Sequence, residues 1–411
     1  MAVKLKFRAL LTMCGDPVEN GELVIDEGKV VEIFDQLGKE KNMDVLDLSD
    51  CLLMPGFVNA HSHLGLTALE KKLNPYEFFA EWIRALIRLN AKLDSKSRVL
   101  GIHAGAEEMQ RSGVTALGDY VAEPEMLKEL DGLGFRSVLF LEIIGFQAEK
   151  AETLCNEVEE ILKKGSLSPL NRFGLAPHAP YSVSPNLFRG LGQIARRYNC
   201  PLSCHVAEIK EESRFLVLGE DSLEELLKER SAWDPKWQPP YKSSVQYLSS
   251  LGVLDRLVAV HCNFVSDDID IMRQKKVSTV FCPQSTNWFR RTPSVPVRAL
   301  LDRGMTVALG TDSKASNDSL NFLDELRMAD KLLPDVNRKE ILDMATRAGG
   351  VALGLECGKL ACGFNADLIG FRLPPSFSGS WSDVPFESQR REVDFYMVNG
   401  KVKTFSPGTS L

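Results

Sequence analysis

No two cysteines in this 411-residue chain are spaced as C-x-x-C, and the nine present are scattered from Cys14 to Cys362. Disulfide-dense secreted modules are far smaller and carry paired spacings, so these read as reduced, buried thiols and favour the cytoplasm. Long apolar runs are missing too. The stretch ALLTMC after Lys4, Lys6 and Arg8 breaks at Gly15-Asp16-Pro17, too short for a signal peptide or a membrane span. There is no excess of positive charge: a formal net charge of −7 supplies no basic face for nucleic acid or acidic lipid. Internal repeats and low-complexity linkers are also absent. At 44% apolar and 26% charged residues, what remains is an ordinary globular composition. The expected partner is a small molecule, with a homo-oligomer left open.

The length is too great for one small core and suits about two or three domains, or a large barrel with an appendage. Residues 3–50 form short strand-like runs, KLKFRALLTM and GELVIDEGKVVEIF, with Asp26-Glu27-Gly28 as a hairpin turn. The last fifty residues repeat the style in KLACGFNADLIGF and REVDFYMVNGKVKTF, turning at Asn399-Gly400. Neither end buries both its faces alone. The expectation is a small β-sandwich built from both chain ends, residues 1–54 and 356–411, with residues 55–355 inserted between them.

That middle alternates β-rich runs with helical stretches, the pattern of β/α units. The runs GFVNAH, TALGDY, SVLFLEII, FGLAPHA, PLSCHVA, LVAVHCN, VSTVFCP and TVALGTD number eight, as a (β/α)8 TIM barrel of the α/β class requires. Helical stretches such as AETLCNEVEEILKKG and SPNLFRGLGQIARRY end near Gly or basic residues.

Histidine is scarce, with six in all, which makes its placement informative. His61 and His63 end the first run in NAHSH; in a strand they share a face while Ser62 points away. An H-x-H pair is either a chance polar face or half of a metal site. Because His178, His205 and His261 also fall at strand ends, and Asp312 ends the last run, the metal reading prevails. The sixth, His103, has Glu107 four residues on and reads as a surface helical pair.

PGFVNAHSH, APHAPYSVS, HVAE, VHCN and LGTDS, in this order between terminal β segments, resemble the amidohydrolase superfamily in its deaminase and chlorohydrolase branch. Nearly the whole chain is covered. The resemblance is to S-adenosylhomocysteine and 5′-methylthioadenosine deaminases and, at FAEWIRALIRLN, to aminofutalosine deaminases. It implies one divalent metal ion held by His61, His63, His205 and Asp312, zinc by default with iron or manganese fitting nearly as well. It further implies that Glu208 protonates the ring nitrogen beside the carbon under attack. His261 would position the attacking water, Asp312 would carry its proton to the leaving amine, and His178 would bind substrate. No lysine ends FGLAPHA, which disfavours a second metal; Glu142 is expected to make a hydrogen bond at the barrel mouth.

The implied reaction is deamination of a 6-aminopurine nucleoside with a 5′ substituent, 6-amino-6-deoxyfutalosine first and S-adenosylhomocysteine or 5′-methylthioadenosine next. The same residues would serve another aminated or chlorinated heterocycle (guanine, cytosine, a triazine) or a cyclic amide, and a non-catalytic barrel is the alternative from another class. Arg84, Arg88, Arg290 and Arg291 are candidate partners for a substrate carboxylate, and NWFRRT replaces a loop that is often Gly-rich in the family. Phe78, Phe79, Trp82 and Leu86 have helical spacing and read as core packing rather than a base-stacking platform. The connection 209–247, with Trp233 and Trp237, reads as a partial lid.

Overall fold

The computed structural model describes residues 2–35, 43–76, 78–219, 222–292 and 294–403. The chain opens with four strands, β1 (Val3–Leu10), β2 (Val18–Asp26), β3 (Lys29–Phe34) and β4 (Asp44–Pro55). The barrel strands follow as β5 (Phe57–Ser62), β6 (Val114–Val121), β7 (Arg136–Ile143) and β8 (Arg172–Pro177). They continue as β9 (Ser203–Val206), β10 (Val258–His261), β11 (Ser278–Phe281) and β12 (Val307–Leu309). The chain closes with β13 (Leu368–Arg372), β14 (Phe395–Val398) and β15 (Lys401–Val402). All eight expected barrel runs carry a strand. Some are shorter than their motifs: β12 stops at Leu309 and β8 at Pro177, so Asp312 and His178 stand on the turns just beyond.

Strands β5 to β8 and β9 to β12 form two parallel sets of neighbours. Parallel bridges at Ser62–Asp312 and Leu175–Leu202 join the sets, with Asp312 N donating to His61 O at 3.1 Å and Leu175 N to Pro201 O at 3.0 Å. The barrel is therefore closed. Every residue of β5 and β6 is buried, as expected where one face fills the barrel and the other meets helices. The intervening helices include Ser95–Arg111, Ala151–Lys164 and Pro185–Tyr198. Among the described residues no helix is long and apolar enough to cross a membrane.

The chain ends build one seven-stranded sheet in the order β15-β14-β13-β4-β1-β2-β3. The expected sandwich is this single sheet rolled over. Edge strand β3 meets the segment leading into β13, through Val30 N to Phe364 O at 2.9 Å and Ala366 N to Gly28 O at 2.8 Å. Leu5, Phe7, Leu23, Leu53, Leu368 and Met397 fill its interior. Both sequence-read hairpin turns form: Glu27 and Gly28 have φ of 49° and 76°, Asn399 and Gly400 of 52° and 71°, the positive values a two-residue turn between twisted strands requires. Thr404 and Phe405 of the last run lie outside the described residues. The sheet is fastened to the barrel by Arg136 and Asp367, with Nε to Oδ2 at 2.6 Å and Nη2 to Oδ1 at 3.1 Å.

The His103–Glu107 pair does not form. His103 Nε2 lies 3.2 Å from Glu129 Oε2, across to a neighbouring helix, while Glu107 accepts from Arg111 Nε at 2.9 Å. A glutamate four residues before an arginine is the better-oriented helical pair, and it takes Glu107.

Candidate active site

Strand ends β5 and β9 and the turn after β12 bring the expected metal ligands together. One ligand atom each from His61, His63 and His205 lies within 4.8 Å of the other two. Asp312 Oδ1 is 3.8 Å from His61 Nε2 and 3.9 Å from His63 Nε2. Ser62 points the other way, as alternation requires, and donates to Asp119 Oδ1 at 2.6 Å. Asp119 also accepts from Leu64 N at 2.9 Å, which fastens the chain beyond the histidines. Asp312 has a φ of 59°, a strained value that its backbone contact with His61 stabilises. Ser285 Oγ donates to Asp312 Oδ2 at 2.7 Å and fixes the carboxylate's orientation.

These residues fit a divalent cation. Both ring nitrogens of His61 are buried with no hydrogen-bond partner among the described residues, a cost that a cation on a ring lone pair would offset. His205 Nδ1 donates to the His178 carbonyl at 2.9 Å, leaving the Nε2 lone pair for a ligand, the usual second-layer support of a metal-binding imidazole. Burial, then the neighbouring His61, pushes His63 down to about 3; burial and the surrounding imidazoles hold His205 well below its ordinary value. Asp312 goes down as well: burial opposes ionisation, but His61, His261 and His63 outweigh it. Three imidazoles and one carboxylate are the donor set of a zinc-type site.

Beside this set, His261 Nε2 is 3.4 Å from Glu208 Oε1. His261 and Cys262 have φ of 70° and 54°, and Ala207 has 48°, so the ends of β10 and β9 turn sharply to aim both side chains inward. Glu212 holds the turn after β9 by accepting from Ala207 N at 2.8 Å, and Asn263 Nδ2 donates to Glu208 O at 2.9 Å. Arg291 Nη2 donates to Glu208 Oε1, with its guanidinium 4.3 Å from the Phe289 ring centroid. Burial pushes Glu208 up to about 8 even though Arg291 pulls it down, since Asp312, Glu212 and Glu211 add to the rise. A carboxyl that carries a proton near neutrality is suited to general acid work.

The sequence matches the amidohydrolase family over residues 52–403. The chain belongs to the amidohydrolase family. A 5-methylthioadenosine/S-adenosylhomocysteine deaminase of Caldanaerobacter subterraneus subsp. tengcongensis is 31% identical over 423 residues, covering 98% of this chain and 93% of the relative. Among solved structures, an aminofutalosine deaminase of Helicobacter pylori superposes with a TM-score of 0.81 at 22% identity, covering 98% of this chain and all of the other. A zinc-bound adenosine deaminase from Xanthomonas campestris gives 0.79 at 22% identity over 98% and 92%. The family is one of metal-dependent hydrolases, and this member acts on carbon–nitrogen bonds other than peptide bonds.

The family site opens into a cavity of about 440 Å³ lined by His63, His178, His205, Glu208, His261 and Asp312 at its floor. Phe79, Trp82, Ile83 and Leu86 form its far wall, with Leu226 and Leu227 from helix Ser222–Glu229 in the 209–247 connection. The aromatic stripe is thus a cavity wall as well as core: Trp82 is buried and donates Nε1 to Ala315 O at 3.2 Å, while Phe78 is exposed. Trp233 and Trp237 pack with Phe146 and Phe215, bracing the roof rather than lining the cavity.

Three of the four candidate arginines stand elsewhere. Arg84 makes a fork with Glu229 at 2.7 and 2.9 Å, and Arg88 and Arg290 are exposed outside the cavity lining. Arg291 is committed to Glu208. The cation at the mouth is Arg230, which sequence reasoning missed along with Ser285, Glu212 and Asn263. For Ser285, Glu212 and Asn263 adjacency to the motifs, in CPQS, HVAEIKEE and HCN, is the signal that was available; Arg230 lies next to no motif. Glu142 makes no side-chain hydrogen bond among the described residues, contrary to expectation. It lines the cavity, pushed up to about 8 by burial and then by Glu123, Asp119 and Asp312.

Proposed function

We propose that the protein is a hydrolytic deaminase of a 6-aminopurine nucleoside bearing a 5′ substituent. The observation that carries this is the joint presence, in one cavity with an apolar far wall, of the four-donor set and a protonatable Glu208 against His261. His61, His63, His205 and Asp312 would hold the metal, which when bound lowers the pKa of a water towards neutrality. His261, neutral because burial and then Arg291 disfavour its charged form, accepts a hydrogen bond from the attacking water and orients it. Glu208 delivers a proton to the ring nitrogen next to the carbon under attack, making that carbon electron-poor. Asp312 takes one proton of the water and hands it to the amine, which leaves as ammonia; the second water proton returns to Glu208 as the ring carbon becomes a carbonyl. No residue is acylated or alkylated, so the division is acid–base throughout.

The relatives' names support a nucleoside, and the cavity bears on the 5′ group. With Arg84, Arg88 and Arg290 outside the lining and Arg291 engaged, the cation near the mouth is Arg230. An apolar wall of Phe79, Trp82, Ile83 and Leu86 suits a methylthio or aryl substituent better than a free amino-acid tail. We therefore place 5′-methylthioadenosine first and 6-amino-6-deoxyfutalosine second, its carboxylate reaching Arg230, with S-adenosylhomocysteine third. The test is ammonia release, as kcat/KM, on these three and adenosine, with guanine, cytosine and a chlorotriazine as controls. Preference for a 5′-substituted nucleoside supports the reading; fastest turnover of any control overturns it.

A further inference from the structure

Glu142 and His178 face the cavity without a part in the steps above. They are brought side by side by backbone, since His178 N donates to Ile143 O at 3.1 Å and ties the turn after β8 to the end of β7. A ligand atom from each lies within 4.8 Å of the other and of His205. Such a cluster suggests a second cation, but its donors are too few. His205 donates Nδ1 to the His178 carbonyl, so it has one lone pair, already turned to His61 and His63. Glu142 and His178 alone leave a divalent ion with two protein ligands, fewer than a stable site uses.

Hydrogen-bond polarity points to a different occupant. Ser182 Oγ is 2.7 Å from His178 Nδ1 and donates its own hydrogen to Ala179 O at 3.2 Å. With that hydrogen directed to Ala179 O, Ser182 Oγ accepts from His178 Nδ1–H, and we assign the tautomer accordingly, which leaves Nε2 as an acceptor. The Glu142 carboxyl supplies a second acceptor, since its carbonyl oxygen accepts whether or not the other oxygen carries a proton, and neither group has a side-chain partner on its cavity side among the described residues. Two adjacent acceptors match a ligand with two adjacent hydroxyl donors.

We propose that Glu142, acting with His178, forms a subsite for a vicinal diol, the 2′- and 3′-hydroxyls of the substrate ribose. This rests on the nucleoside reading above and adds a discrimination that the metal and acid–base set does not supply. A substrate lacking one hydroxyl leaves a desolvated acceptor unpaired, which costs enough to lower kcat/KM roughly 10- to 100-fold.

The experiment compares kcat/KM for adenosine, 2′-deoxyadenosine and 3′-deoxyadenosine in the metal-loaded wild-type protein, Glu142→Gln, Glu142→Ala and His178→Asn. The wild type is expected to favour adenosine by roughly 10- to 100-fold over at least one deoxy analogue. That preference is expected to shrink to about threefold or less in Glu142→Ala, with Glu142→Gln between, and metal content unchanged in all. A wild type that deaminates all three equally, or a Glu142→Ala protein that keeps the full preference, overturns the proposal while the deaminase reading stands. Loss of a second equivalent of metal in Glu142→Ala overturns it in favour of a cation site. Should Glu142→Ala not fold, His178→Asn carries the same comparison. Absence of ammonia from every 6-aminopurine nucleoside defeats the function itself, a distinct result.

Discussion

Replacing Arg291 by methionine tests whether this guanidinium governs when Glu208 carries its proton. Both side chains are buried, at 7% and 8% exposure. The arginine is held from three sides: it donates to Glu208 Oε1, reaches Ser285 Oγ at 3.3 Å, and lies over Phe289. Burial pushes Glu208 up to about 8 with Arg291 opposing the rise. An adjoining opposite charge moves a carboxyl by roughly 1–3 pH units. That is about 1.4–4 kcal/mol between the protonation states. Methionine keeps much of the bulk and removes the charge, so the Glu208 pKa rises further. As a proton donor Glu208 works in its protonated form, present below its pKa and lost as pH rises through it. The alkaline limb of kcat against pH is therefore expected to move up by ~1–3 pH units in the variant. A bound divalent ion lowers Glu208 in both proteins alike, so the difference between the two limbs is the quantity to read. On the plateau kcat is expected to fall roughly 10- to 100-fold, because the carboxyl is no longer held against His261. An alkaline limb that does not move, in Arg291→Met protein of full metal content, refutes the electrostatic argument.

Three further outcomes are expected. Purified protein should carry close to one metal ion per chain by elemental analysis, and His61→Ala or His205→Ala should lose most of it, since three remaining donors leave the ion's shell to water; full occupancy in both variants rules the assignment out. Glu208→Gln should keep its metal and lose ~10²- to 10⁴-fold in kcat, as removal of a general acid does; wild-type turnover would take Glu208 out of the mechanism. Asp367→Ala should lower stability by roughly 3–5 kcal/mol, because it strands the buried Arg136 guanidinium, and it also removes the acceptor of Asn399 N at 2.7 Å. Thermal unfolding reads this, and Arg136→Met/Asp367→Leu should recover a large part of the loss; a double variant as unstable as the single one contradicts the stranded-charge argument.

The barrel and the convergence of its histidines were legible in the sequence because they depend on short-range order. Period-two alternation sets His61 and His63 on one face and Ser62 on the other. Fully buried parallel strands leave unbroken apolar runs, and a closed barrel collects every strand end at one mouth, so motifs as far apart as NAHSH and LGTDS meet. The two hairpin turns were legible for the same reason, since Glu27-Gly28 and Asn399-Gly400 adopt positive φ within their own dipeptides. Long side chains were not legible. Arg84 and Arg291 are both candidates in sequence terms, yet one forks to Glu229 on another helix and the other, beyond β11, reaches Glu208 beyond β9. Which carboxylate an arginine meets depends on the separation of elements more than a hundred residues apart for Arg84 and more than eighty for Arg291, which no local pattern encodes. His103 was assigned to Glu107 on helical spacing and pairs with Glu129 instead, by packing between helices. The wall of Phe79, Trp82 and Leu86 has the same periodicity whether it faces core or cavity. Only the tertiary structure, by leaving space on one side of it, decided that it does both.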